Sequence, residues 1–194
     1  MPSEPDRDPQ DGRRLPPDHP PRDATVAELK ALAHPLRWRV LRLCWDRPLT
    51  NKELSQRLGV APATMLRHVR ALVRTEFLVA EPVRSGTRGA LERPYRSTGR
   101  TRRLGLIGDP GDGLAVQADL ALLDAHRAEV REAGPDADRE IARGVLRLGP
   151  ESREELVERV RALLDEFVER DEPDGEDLGY LWSLVTRREP GAAS

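Results

Sequence analysis

Arg67, Arg70 and Arg74 recur at i, i+3 and i+7, the spacing of one stripe along a helix. A guanidinium is a permanently charged planar fork. It pairs bidentately with guanine O6 and N7 or clamps a phosphate. A second basic group, Arg84, Arg88 and Arg93, lies in and beside the Gly-rich turn Arg84-Ser85-Gly86-Thr87-Arg88-Gly89. Both groups suit a polyanion. No nucleophile–base pair, phosphate-binding glycine loop or metal-ligand set accompanies them, and turn formation accounts for Ser85-Gly86-Thr87 better than catalysis does. His19, His34, His68 and His126 are scattered without ligand spacing. Cys44 is the one cysteine, so a disulfide within the chain and thiolate zinc sites are excluded. On an apolar helix face it reads as a small buried hydrophobe. No catalytic, cofactor-binding or metal-ligating residue is therefore expected, and the chain does not read as an enzyme.

The charge pattern frames these arginines. The 194 residues carry 32 Lys and Arg against 34 Asp and Glu, a net charge of −2. Residues 30–103 hold 17 basic and 5 acidic residues, a surplus of +12, and the remainder stands at −14. Such an asymmetry points to two functions on one chain, the basic part facing a polyanion. All basic residues except Lys30 and Lys52 are arginine. No apolar run reaches membrane-spanning length, and the start is charged and Pro-rich rather than signal-like, so a cytoplasmic protein without a membrane partner is expected.

The punctuation divides the chain into four parts. Residues 1–23 hold seven prolines among ten charges and read as a disordered tail. Turn-rich breaks follow at Gly105–Gly113, Gly134-Pro135 and Glu172–Gly175. The implied organisation is a DNA-binding domain over 24–104, a linker or dimerisation helix over 112–134, and a C-terminal module over 138–188. The fold class is mainly α with small β: a winged helix-turn-helix, a helical linker and a small α+β module.

Within 24–104 the periodicity is helical. Val26, Leu29, Leu32 and Ala33 form a first helix capped by Thr25. Pro35 opens a second, with Leu36, Val40, Leu41, Leu43 and Cys44 on one face. Thr50 and Glu53 make a capping box ahead of Leu54 and Leu58, and Gly59 stops that helix. The next helix runs from about Pro62 to Glu76, with Met65, Val69 and Leu72 inward. Two short helices joined through Leu58-Gly59-Val60 are a helix-turn-helix, whose second helix enters a DNA major groove. Ala63, Thr64, Leu66, Arg67, His68, Arg70 and Arg74 are its candidate DNA contacts. Arg67, in the deeper half, is the base-reading candidate, while Arg70 and Arg74 meet phosphates or solvent. Phe77–Val79 and Tyr95–Ser97 read as strands around the basic turn. They make a wing whose Arg84, Arg88 and Arg93 reach phosphates or the minor groove.

The stretches LKALAHPLRWRVLRLCW and LTNKELSQRLGVAPATMLRHVRALVRTEFLV resemble the ArsR-type winged-helix transcriptional regulators. The family's start pattern is matched by Leu32-Ala33-His34-Pro35-Leu36-Arg37. Its recognition-helix pattern is matched by Leu66-Arg67-His68-Val69-Arg70-Ala71-Leu72. The resemblance covers residues 25–103 and implies a dimeric, repressor-like, operator-binding protein. Leu66 stands where a serine is usual, and Glu76 where a glycine commonly ends the helix, so that turn is expected to be made differently. The family's metal-sensing branch places paired cysteines on the helix that here reads Asn51–Leu58, which has none. The resemblance is thus to the branch that does not sense metals.

Beyond the winged helix, Leu114–Ala133 reads as a helix whose Val116, Leu120, Leu123, Arg127 and Val130 follow a helix-pairing seam. Residues 139–148 alternate as a strand, Pro150 to about Arg170 forms a helix with Leu156, Val160, Leu163, Leu164, Phe167 and Val168 inward, and Leu178–Thr186 forms a last strand. These two strands could pair in a dimerisation or effector module. The function implied is a sequence-specific, homodimeric regulator on a double-stranded DNA operator, with room for a small-molecule or protein effector and no cofactor. The alternative is a winged helix that binds protein. It needs neither the +12 surplus nor arginines on both recognition helix and wing.

Overall fold

The computed structural model describes residues 22–85, 91–106, 113–137, 139–170, 172 and 175–186. The chain divides into two units after Ala137.

In the first unit the elements run β1 (Arg22–Asp23), α1 (Val26–Leu32), α2 (Pro35–Asp46), β2 (Leu49–Thr50), α3 (Asn51–Leu58), α4 (Pro62–Arg74), β3 (Leu78–Ala80), β4 (Arg84–Ser85), β5 (Leu91–Glu92) and β6 (Pro94–Ser97). A 3-10 turn over Arg100–Arg103, β7 (Leu104–Gly105) and α5 (Leu114–Ala133) complete it. A three-stranded antiparallel sheet has the order β2-β6-β3, with Leu49 opposite Tyr95 and Leu78 opposite Ser97. The β4–β5 pair extends from it as the wing's stem. This is a winged helix. The rest of the predicted tail lies outside the described residues, but Arg22 and Asp23, which composition assigned to it, form β1 parallel to β7.

Local chemistry sets the boundaries. Thr25 and Glu28 form a full capping box at α1: the Glu28 amide donates to Thr25 Oγ1 at 3.3 Å and the Thr25 amide to Glu28 Oε2 at 2.8 Å. Thr50 and Glu53 repeat the device at α3. His34 caps α2 through Nδ1, which accepts from the Leu36 amide at 3.2 Å, and Pro35 takes the first helical position. Gly59 ends α3 in the left-handed region at φ 63°.

The end of α4 corrects an expectation. Glu76 adopts φ 58°, the conformation a glycine would take. The Phe77 amide donates to Leu72 O at 2.9 Å and the Glu76 amide to Val73 O at 3.0 Å, a complete Schellman motif with glutamate at its left-handed position. The turn is made in the usual way, at a steric cost. Two contacts hold it there: Thr98 Oγ1 donates to Glu76 O at 2.7 Å, and the Glu76 carboxylate pairs with Arg100.

Leu29, Leu32, Val40, Leu41, Leu54, Met65, Val69, Leu72, Phe77 and Leu78 form one core. Cys44 is fully buried in it, and burial pushes its thiol up to about 12. The Trp38 indole N–H donates to Leu32 O at 2.8 Å while its ring packs on the core. Helix α5 contacts both α1 and α2. Its Ala118 joins the core and Leu114 and Ala115 pack against it; Ala121 and Ala125 on the same helix are buried too, while Val116, Leu120, Leu123 and Val130 are exposed. The helix spans the residues expected, and its seam faces away from its own domain.

The second unit contains α6 (Pro150–Arg170). Here two expectations fail among the described residues. Residues 139–148 and 178–186 join no strand ladder. Sequence alternation does not make a strand without a partner to receive its backbone hydrogen bonds, and Ile141, Leu178 and Val185 are more than three-quarters exposed. The α+β module is thus represented there by its helix. No residue of α6 is buried: Leu156, Val160, Leu164 and Val168 are half-covered, and Leu163 and Phe167 are exposed. Tyr180 and Trp182 are exposed. No described helix is long and apolar enough to cross a membrane.

Candidate nucleic-acid interface

Helix α4 separates its residues sharply. Met65, Val69 and Leu72 are fully buried, and Ala63, Arg67, Arg70 and Arg74 are exposed. Leu66 is half-covered, and Thr64 and His68 lie half-buried on the flank toward α2. Helix α3 holds the start of α4 in place, Asn51 Nδ2 donating to Pro62 O at 3.1 Å. The arginine stripe read from the sequence is therefore one solvent-facing surface. Among the described residues none of its three guanidiniums has a carboxylate partner. Arg22, Arg39, Arg42, Arg96 and Arg100, by contrast, are all ion-paired.

The wing is placed by the same motif. Arg84 Nη2 lies 3.4 Å from both carboxylate oxygens of Glu53, the residue that completes the α3 capping box. This loose, half-exposed pair orients the stem of the wing toward the helix-turn-helix and leaves Arg84 within reach of solvent. Arg93 is exposed beyond β5. Arg88 lies outside the described residues. Arg96, on β6, is engaged with Glu81 at 2.9 Å.

Two residues missing from the sequence-derived set adjoin α4. Arg37, on the first turn of α2, donates from Nη1 to Lys30 O and Ala31 O, which closes the end of α1. It also donates from Nε to His68 Nδ1 at 3.3 Å. His34 places its ring edge-on to His68, centroids 4.5 Å apart. With Arg67, Arg70 and Arg74 these groups border a cavity of about 680 Å³. Burial first, then the neighbouring His34 ring and the Arg37 and Arg67 charges, hold His68 at about 4. Burial and then the Arg37 charge lower His34 as well. Both rings are neutral at pH 7. The signal for this group was the quartet His34-Pro35-Leu36-Arg37: a histidine at an N-cap, with an arginine three residues on, sets both side chains at the start of α2.

No cluster of three or more His, Cys, Asp or Glu among the described residues is arranged to hold a metal ion.

A family model described as a helix-turn-helix domain matches residues 32–80, from the end of α1 through β3. A comparison with curated proteins gave no match. Among solved structures, the chain is similar to the adhesin competence repressor AdcR from Streptococcus pyogenes, with 13% identity, 69% of this chain and 81% of that chain covered, and a TM-score of 0.30. It is similar also to a mutant ZitR from Lactococcus lactis in apo form, with 15% identity, 73% and 89% covered, and a TM-score of 0.32. Geometry and family model agree on a helix-turn-helix over residues 32–80, and the β4–β5 pair beyond the match completes it as a winged helix.

Proposed function

We propose that the protein is a sequence-specific DNA-binding transcriptional regulator that acts as a homodimer on a near-palindromic operator, in the manner of a repressor. The observation that carries this reading is the open arginine stripe on α4, uncompensated by any described carboxylate, on the second helix of a helix-turn-helix. Arg67 reads base edges in the major groove, with Ala63, Thr64 and Leu66 beside it. Arg70 and Arg74 take phosphates, as do Arg84, Arg88 and Arg93 of the wing. Homodimerisation is supported by α5. Its alanine face is used within the chain, and its Val116-Leu120-Leu123-Val130 face is exposed, the arrangement expected of a helix that pairs with its copy. The C-terminal unit, with the open apolar positions of α6, serves as a further dimerisation or effector module.

The test is binding of the purified full chain to its own upstream DNA at two salt concentrations, against a shuffled competitor. Specific binding that falls steeply with salt is expected. Absence of binding at low salt overturns the reading and leaves the winged helix as a protein-binding module.

A further inference from the structure

Six of the eight residues that line the cavity between the start of α2 and the flank of α4 are arginine or histidine. Two hydrogen bonds fix the histidine tautomers. A backbone N–H is a donor in every state, so the Leu36 amide at 3.2 Å requires His34 Nδ1 to be unprotonated. An arginine Nε–H is equally unambiguous, so Arg37 at 3.3 Å requires the same of His68 Nδ1. Each neutral ring therefore carries its proton on Nε2. Neither Nε2 has a hydrogen-bond partner among the described residues, and both rings line the cavity. Arg37, Arg67, Arg70 and Arg74 surround them, and Thr64 and Ala71 complete the lining. No carboxylate or amide side chain is present. Four cations so arranged repel one another until an anion enters, and the two neutral N–H donors await an acceptor. A small oxyanion with several acceptor oxygens fits that donor set, and a carboxylate or an apolar ligand leaves most of it unused.

We infer that the cavity bounded by His34, Arg37, His68, Arg70 and Arg74 is a seat for one phosphoryl group, with the two Nε2–H groups as neutral donors and the arginines as its charge. Arg37 is the positioning residue: it closes α1, sets the His68 ring through Nδ1, and so aims the pocket beside the base-reading stripe. The inference rests on the proposed function where the phosphoryl group is a DNA backbone phosphate. A free phosphorylated ligand is the other source of the same chemistry, and the cavity is larger than a single phosphate needs.

The experiment follows the imidazole Nε2 signals of the full-length protein by proton–nitrogen correlation NMR. One arm titrates inorganic phosphate against chloride at constant ionic strength. The other titrates the chain's own upstream duplex and a shuffled duplex. Saturable movement of the His34 and His68 Nε2 signals is expected. Arg74→Ala, at an exposed position, and His68→Asn, which keeps an acceptor for Arg37 and withdraws the outer donor, should each weaken binding about tenfold. His68→Gln, whose amide reaches the former Nε2 position, should restore most of it. In the duplex arm His68→Asn should weaken both sequences equally and leave the salt slope unchanged, because a neutral donor displaces no counterion. Arg74→Ala should reduce that slope by about 1. Signals moved by duplex alone assign the seat to the DNA backbone. Signals moved by phosphate with no duplex bound assign it to a free phosphorylated ligand and remove the regulator reading instead. Duplex bound specifically while both Nε2 signals stay still in both arms overturns the seat and leaves the regulator reading intact.

Discussion

Arg100 and Glu28 stand 72 positions apart in sequence, yet Arg100 Nη2 donates to Glu28 Oε1 at 3.3 Å. Glu28 is also the α1 capping-box residue and accepts from Arg22 Nη1 at 2.9 Å. One buried carboxylate thus ties β1, α1 and the turn that follows the wing. The Arg22 hydrogen bonds first, then those from Thr25, hold Glu28 at about 2 against an ordinary 4.5, in spite of its burial. A carboxylate with a depressed folded-state pKa contributes stability above its unfolded value and loses it as pH falls through the folded one. Glu28→Gln should cost about 2 kcal/mol at pH 7, after discounting for Arg22's exposure. In urea denaturation the gap between wild type and variant should close between pH 4.5 and pH 2. A gap that stays constant across that window would show that Glu28 acts through its shape alone.

His68 opens a second acid window at higher pH. Its folded value near 4 lies below the 6.5 of a free imidazole, so the unfolded chain binds the extra proton first. Stability is fully present above 6.5 and declines as pH falls toward 4. The melting temperature of His68→Asn should be flatter than that of wild type between those limits, and parallel to it above pH 7.

Glu76 spends conformational energy in the left-handed region that glycine would not. Glu76→Gly relieves that strain, which for a residue with a Cβ is about 1–2 kcal/mol. It forfeits the mostly exposed pair with Arg100 and adds chain entropy to the unfolded state. The net expectation is a gain of roughly 0.5 kcal/mol. Chemical denaturation decides the sign, and a loss would mean that the Arg100 pair outweighs the backbone.

Leu120 and Leu123 sit on the open face of α5, away from the core. Leu123→Glu should leave the monomer fold intact by circular dichroism and shift the protein to monomer in light scattering. Operator affinity should then drop well over tenfold with the loss of two-site binding. A dimer that survives the substitution would place the interface elsewhere.

Arg67→Ala should relax base preference and cost roughly 1–3 kcal/mol in operator affinity. An unchanged preference in a randomised-site selection would transfer the reading role from Arg67 to another residue of α4.

The legible parts of this molecule were those governed by neighbouring residues. Thr50 with Glu53, Pro35 after His34, and Gly59 after Leu58 fixed three helix boundaries by local hydrogen bonding and sterics alone. The arginine stripe was equally legible, because burial of Met65, Val69 and Leu72 forces Arg67, Arg70 and Arg74 outward. Three features were not. The Arg37–His68 contact joins residues 31 positions apart, and its spacing leaves no trace in a local pattern. Glu76 took a glycine conformation because Thr98 and Arg100, both beyond the wing, hold it there. The strands expected over 139–148 and 178–186 had alternation but no partner among the described residues, and a ladder is a property of pairs.

Cys44 offers a practical consequence. It is the sole thiol of the chain, wholly enclosed, and protonated at any pH at which the protein would be handled. Alkylating reagents and mild oxidants act on exposed thiolates, so the native protein should be inert to both. A cysteine introduced on the exposed stem of the wing, Ser85→Cys, would then be the one position per chain to accept a spin label or fluorophore. Distances between wings could be measured in solution, with and without DNA, on a background that needs no further substitution.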